Sequence, residues 1–183
     1  MTLITPSQWL ADLLKESFLK AYPVEVHRNT IDETVFMPTE GSFREKYALQ
    51  DKRIVLGVAG VWDRRKGLSE FMKLAAMLDE RYAIVLVGLT QEQIDQLPAG
   101  VVGIRRTESA KELAAIYTAA DVFVNPTFED NYPTVNLEAQ ACGTRVITYA
   151  TGGAPETIWR ADSCVVPAGD LEALKKRIEE GWQ

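Results

Sequence analysis

Asn125–Tyr149 reads NPTFEDNYPTVNLEAQACGTRVITY, and this stretch decides how the chain folds. The short apolar run Asp121–Val124 ahead of it has the character of a strand, and it passes into a polar loop holding Glu129, Asp130 and Asn131. A helix follows, with Glu138 in its second turn; Gly143 stops it and a new strand begins at Arg145. Asp130 and Glu138, eight positions apart, therefore stand at the carboxyl end of a strand, where open α/β sheets bind ligands. A carboxylate accepts two hydroxyls in charge-assisted bonds, so the pair suits a polyhydroxyl ligand. The plain structural alternative is that Asp130 or Asn131 caps the helix and Glu138 lies on a solvated face. Thr134 could equally be the cap, which would leave Asp130 free.

The same alternation of strand and helix runs through most of the chain. Ile54–Ala59, Ala83–Val87, Val101–Ile104, Asp121–Val124, Arg145–Tyr149 and Cys164–Val166 are apolar throughout, as strands covered on both faces are. Their starts lie roughly 18 to 29 residues apart, room for one crossover helix each. Helix boundaries are written between them. Ser69 opens a helix with Phe71, Leu74, Ala75 and Leu78 on one face, and Thr90 with Gln93 and Ser109 with Glu112 form capping boxes. After Ser109, Leu113, Ile116, Tyr117 and Ala120 follow helical spacing, and Tyr117 reads as core. Pro155 suits the first turn of a helix starting near Gly153, and Asp170 caps a last one with Leu171, Leu174 and Ile178 inward. The expected fold is α/β, a Rossmann-like doubly wound parallel sheet.

The two ends fall outside that unit. Residues 6–20 read as an amphipathic helix (Leu10, Leu13, Leu14, Phe18) followed by a strand at Val24–His27, and Asn29 to about Arg53 is irregular. The last helix stops abruptly at Gly181, Trp182 and Gln183, so the chain reads as a fragment of a larger protein.

Further loops at strand ends could share the acidic loop's cleft. After Ile54–Ala59 comes Gly60, Val61, Trp62, Asp63, Arg64, Arg65, Lys66, Gly67, whose three adjacent cations beside a helix start suit a diphosphate. It is neither a Walker A loop nor the dinucleotide glycine fingerprint; a solvated charged turn is the alternative. Arg105, Arg106 and Thr107 follow Val101–Ile104 and could hold a nucleotide base, with surface charge as the alternative. Gly152 and Gly153, ahead of Pro155, could let backbone N–H groups crowd onto an anion, or form an ordinary turn. Glu156 complements a helix dipole, and His27 reads as structural.

Composition narrows the function. Of 183 residues, 46% are hydrophobic, enough for a substantial core. The net charge is −6 with no basic run, which argues against nucleic acid as a partner. No apolar run approaches the ~20 residues of a membrane span, and the start lacks the pattern of a signal peptide, so a cytoplasmic location is expected. Cys142 and Cys164 are expected as buried thiols, with a disulfide as the lesser alternative. A single histidine and no Cys/His cluster leave a metal site without support, so no metal and no cofactor are expected.

These residues resemble the carboxyl-terminal, donor-binding domain of retaining glycosyltransferases with the GT-B fold, the large family-four group (glycosyl transferases group 1). Asp121–Thr148 resembles their signature of two acids eight positions apart, with Asp130 where the first is usually Glu. Val26–Asp32 followed by Phe36 and Pro38 is similar to the family's "NGID…F.P" linker, with Thr30 where glycine is usual. Leu56–Gly67 resembles its "VGR…KG" loop, with Lys66 in place and Val61 where arginine is usual. The resemblance implies that residues 1–35 are the end of an amino-terminal domain and the linker, and that 36–183 bind the donor. It implies Arg65, Lys66 and Asp130 as catalytic groups. Taken together with the loops read above, Gly60, Arg64, Arg105, Arg106, Thr107, Asn131, Tyr132, Pro133, Thr134, Glu138, Gly152 and Gly153 are expected to line the donor, and the resemblance places Glu138 on the ribose. Pro133, which has no N–H, stands where glycine is frequent.

The implied activity is transfer of a hexose, with retention, from a nucleoside diphosphate sugar to a saccharide or lipid-linked acceptor. Expected partners are that donor and an acceptor-binding amino-terminal domain outside this chain, with a peripheral place at the membrane for the parent enzyme. The fragment alone is expected to transfer nothing. Two readings compete: another enzyme of the same fold, such as a nucleotide-sugar 2-epimerase or a phosphorylase, and a non-catalytic nucleotide-binding or protein-interaction module.

Overall fold

The computed structural model describes residues 1–180; the expected stop of the last helix at Gly181, Trp182 and Gln183 lies outside the described residues. The chain opens with strand β1 (Leu3–Thr5), helix α1 (Gln8–Lys15) and strand β2 (Val24–Val26), and β1 and β2 pair in parallel. Strand β1 was not expected: three residues carry no periodicity, and only the partner strand defines them. Helix α1 begins at Ser7, whose side chain accepts from Leu10 N, and it ends at Lys15 rather than near residue 20. Phe18, expected on its apolar face, lies beyond the helix and is 91% exposed.

A short helix α2 (Phe43–Lys46) interrupts the stretch read as irregular. Arg44 then reaches the sheet, pairing with Asp121 at 2.8 Å, and Asp121 also accepts from Ile54 N at 2.6 Å.

The remainder alternates strand and helix. In chain order it comprises β3 (Arg53–Val58), α3 (Leu68–Met77), β4 (Tyr82–Val87), α4 (Gln91–Asp95), β5 (Val101–Ile104), α5 (Ala110–Ala119), β6 (Val122–Asn125), α6 (Thr134–Ala141), β7 (Val146–Tyr149), β8 (Cys164–Val166) and α7 (Leu171–Glu180). The strands form one parallel sheet in the order β5-β4-β3-β6-β7-β8. The chain builds outward from β3 in one direction, then returns to β6 and builds in the other. This is the doubly wound Rossmann order, and its crevice lies between the carboxyl ends of β3 and β6.

Unbroken apolar strands follow from cover on both faces. Ile54 and Leu56 face a layer that includes Tyr117, Phe123, Ala139 and Cys142. Val55 and Val122 face the opposite layer, with Phe71, Leu74, Leu174 and Ile178. Cys142 and Cys164 are both free thiols, the first buried and the second half-buried.

Most helix boundaries match their sequence signals. Thr90 and Gln93 form both arms of a capping box, and Asp170 accepts from Ala173 N at 2.9 Å. Three boundaries differ. Gly67, at φ +74°, begins α3 in place of Ser69. Ser109 accepts from Glu112 N at 3.1 Å, but the Glu112 carboxylate returns to Glu108 N instead of Ser109 N. Pro155 lies in a single 3-10 turn, Ala154–Thr157, not an α-helix.

Candidate functional site

Residues 60–67 leave β3 as a compact turn. The Trp62 indole donates to Val87 O at 2.8 Å and packs edge-on against Phe71. Asp63 accepts from the backbone N–H of Arg65 and Lys66, and its carboxylate takes the Arg65 guanidinium at 2.9 and 3.0 Å. That guanidinium, aided by the N–H bonds, holds the Asp63 carboxyl below the usual range.

The turn is fastened to the acidic loop that follows β6. Phe128 N and Thr127 Oγ1 both donate to Arg65 O. A Cβ on Gly67 would lie 2.3 Å from Pro126 O, so no larger residue allows this approach. Lys66 Nζ completes the junction with a 2.6 Å bond to the Asp130 carboxylate.

Helix α6 starts behind Pro133 with no side-chain cap, so Asp130, Asn131 and Thr134 are all released from that role. The other Asp130 oxygen accepts from Tyr132 N at 3.3 Å. One turn further on, Glu138 accepts from the Tyr117 hydroxyl at 3.0 Å. Burial raises the Glu138 carboxyl above its ordinary value, and hydrogen bonds from Tyr117 and Thr134 offset part of the rise.

Two adjoining hollows open at the carboxyl ends of β3 and β6. The first, about 290 Å³, takes Lys66, Asp130, Tyr132, Pro133 and Thr134. The second, about 450 Å³, takes Arg105, Arg106, Thr107 and Glu138. Val58, Ala59, Gly60 and Val135 line both, so they form one crevice. The cation turn, the second loop and the two acids therefore converge at the switch point of the sheet.

Other expected site residues are placed differently. Arg64 lines a separate hollow with Asp63, Leu68, Ser69 and Met72. Arg65 lines neither part of the crevice and is engaged with Asp63. Asn131 lines neither part; its carbonyl packs against Gly153, where a Cβ would come within 1.9 Å. Gly152 and Gly153 were expected to present N–H groups to an anion. Instead Gly153 N donates to Asp130 O at 3.1 Å, and a Cβ on Gly152 would approach that same carbonyl to 2.0 Å. The glycine pair thus supports the acidic loop from below.

Glu156 also has a different task. Its carboxylate accepts from Gln8 N and Trp9 N, both at 2.8 Å, and so caps α1 rather than its own turn. His27 lies outside the crevice and meets Glu25 at 3.1 Å. Among the described residues no group of three or more His, Cys, Asp or Glu is placed to hold a metal ion.

Three contributions escaped the sequence reading. Asn29 lines the first hollow from the segment after β2, a placement no local pattern signals. Asn125 and Asn136 bond to each other beneath the acidic loop, and Asn136 continues to Thr157. Tyr117 is fully buried as expected, yet its hydroxyl belongs to the site.

The family profile described as glycosyl transferases group 1 matches residues 52–183. The chain belongs to this family. Among similar proteins, the alpha-maltose-1-phosphate synthase of Mycolicibacterium smegmatis is 28% identical, over 91% of this chain and 50% of its own length. The D-inositol 3-phosphate glycosyltransferase of Pseudarthrobacter chlorophenolicus is 34% identical, over 70% of this chain and 34% of its own.

Solved glycosyltransferase structures share the GT-B Rossmann-like fold. The sucrose-phosphate synthase of Thermosynechococcus elongatus superposes with a TM-score of 0.85 at 25% identity, covering 98% of this chain and 48% of that one. HepE of Anabaena, solved with UDP-glucose, gives 0.80 at 18% identity, over 97% and 52% of the two chains. This chain therefore spans about half the length of three of these proteins and about a third of the D-inositol 3-phosphate glycosyltransferase. Among the described residues no helix is long and apolar enough to cross a membrane.

Proposed function

We propose that the crevice binds a nucleoside diphosphate sugar, and that the parent enzyme transfers the hexose to a saccharide or lipid-linked acceptor. The observation that carries this reading is convergence: Lys66 with Asp130, and Glu138 with Arg105 and Arg106, line adjoining hollows that share the end of β3. Glu138 takes the ribose hydroxyls, Lys66 the diphosphate, and Asp130 with Tyr132 and Thr134 the sugar side. HepE, a neighbour of the same fold, was solved with UDP-glucose, which supports a donor of that class.

The difficult step of such a transfer is departure of the diphosphate as its negative charge grows. Lys66 is placed to oppose that charge, and the start of α6 adds its partial positive end. Arg65 joins only by leaving Asp63. Retention of configuration follows the family resemblance. Because the chain spans about half of its relatives' length, the acceptor side is assigned to another domain, with residues 1–35 the segment that leads from it. The chain alone then binds nucleotide weakly and transfers nothing; measurable turnover would contradict that.

A thermal-shift screen with UDP, GDP, ADP and their sugar conjugates tests the reading. At least one should raise Tm, and Glu138→Ala should abolish that rise. If none does, the crevice takes no nucleotide, and a protein-interaction module becomes the better reading.

A further inference from the structure

Tyr117 carries a polar group into the core that core packing does not require. It is fully buried on α5, and its ring is wedged edge-on between Phe36 and Phe123, with centroids 6.3 and 5.5 Å away. Its backbone carbonyl accepts from the buried Thr144 hydroxyl, so the residue is fixed at its main-chain end as well. A phenylalanine would satisfy every one of these contacts. Among the described residues the hydroxyl has one side-chain partner, donating to Glu138 Oε2 at 3.0 Å, 21 positions along the chain and on a different helix.

We infer that Tyr117 is a positioning residue: it holds the Glu138 carboxylate in the orientation that receives the two vicinal hydroxyls of the ligand's ribose. This rests on the ribose role proposed above for Glu138. A glutamate side chain has three rotatable bonds, and rotamer freedom retained in the empty site is lost on binding. The phenol fixes one oxygen, Oε2, at 3.0 Å. Glu138 lines the second hollow beside Val135 and Leu113, so a carboxylate held at Oε2 is presented at the wall of that hollow. The ring is pinned by apolar neighbours, so it cannot follow the carboxylate if the latter swings. Tyr117 thereby acts without touching the ligand.

The test uses the chain with UDP, GDP and ADP, and the 2′,3′-dideoxy form of whichever binds, in calorimetric titrations of wild type and Tyr117→Phe. Wild type should bind the ribose form at least about tenfold more tightly than the dideoxy form, the worth of a hydrogen bond to a charged group. Tyr117→Phe should lose most of that ratio by weakening the ribose form alone, while its dideoxy affinity matches wild type. A merely structural tyrosine would weaken both forms together, which would overturn the inference. So would an undiminished ratio in Tyr117→Phe, although that result leaves Glu138 on the ribose. If wild type itself shows no ratio, the ribose reading fails, and this inference fails with it.

Should Tyr117→Phe not fold, wild type labelled with carbon-13 at tyrosine Cζ supplies the second measurement. The assigned Tyr117 signal should move on adding the ribose form and stay in place with the dideoxy form. An unmoved signal with both forms overturns the inference.

Discussion

Lys66 Nζ stands 2.6 Å from a carboxylate oxygen of Asp130, a residue 64 positions away. The contact joins the turn after β3 to the loop after β6, the two strand ends between which the strand order reverses. Lys66→Ala should weaken nucleoside diphosphate binding at least about tenfold, the worth of one charge-assisted hydrogen bond. Asp130→Asn removes the anion that now occupies Lys66, so affinity for the diphosphate should hold or rise. The pair is partly solvated, and neither change should move stability by more than about 1 kcal/mol. Calorimetric titration beside a thermal melt checks both statements.

Two glycines of the site should respond oppositely to alanine. At Gly153 the backbone is ordinary (φ −87°), but an added Cβ would meet Asn131 O at 1.9 Å and Ser7 Cβ at 2.7 Å. Gly153→Ala should therefore displace the acidic loop and lose roughly 2 kcal/mol of stability. A Cβ on Gly60 meets nothing within 4 Å, so Gly60→Ala should melt as wild type does. Gly60 lines both parts of the crevice, however, so the added methyl group should lower nucleotide affinity. Paired melts and titrations separate the two effects.

The Glu138 carboxyl titrates above its ordinary 4.5 in the folded chain, chiefly through burial. Protonation therefore favours the folded state. This contribution is fully present below pH 4.5, the unfolded value, and is lost as pH rises through the folded value. Glu138→Gln removes the effect, so its Tm relative to wild type should climb across that window and level off above it. The ribose role proposed for Glu138 needs the ionised carboxylate, so on that reading wild-type affinity for the nucleotide should increase over the same interval. A flat Tm difference across the window contradicts the assignment.

Glu156→Ala should loosen α1 without touching the sheet. The carboxylate satisfies the N–H groups of Gln8 and Trp9, both at 2.8 Å, and such an end contact is worth about 1 kcal/mol. Amide exchange at residues 8–15 should speed up while the strands stay protected.

How much of this was written in the sequence depends on where the signal resides. Strands buried on both faces announce themselves, because Ile54, Val55 and Leu56 alternate between two cores and all must be apolar. The Thr90–Gln93 box and the Asp170 cap are local chemistry, legible for the same reason. Convergence of Lys66, Asp130 and Glu138 followed from placing each at a strand's carboxyl end. What escaped depends on distant neighbours. Gly67, which precedes α3, has no room for a side chain because Pro126 crowds it from 59 positions away. The Arg65 guanidinium is claimed by Asp63, two residues earlier, where a run of three cations suggested a shared ligand. Gly152 and Gly153 looked like an anion cradle, yet the Asp130 carbonyl already takes the Gly153 N–H. Tyr117 fitted the apolar face of α5, and only the neighbouring helix reveals what its hydroxyl does.

In the proposed complex Lys66 and Glu138 serve opposite ends of one bound nucleotide. Calorimetric titration of wild type, Lys66→Ala and Glu138→Ala with the best-bound nucleoside diphosphate and with its parent nucleoside tests this most directly. Lys66→Ala should weaken only the diphosphate, whereas Glu138→Ala should weaken both ligands. Equal affinities in all three proteins, or no binding to wild type, would contradict it.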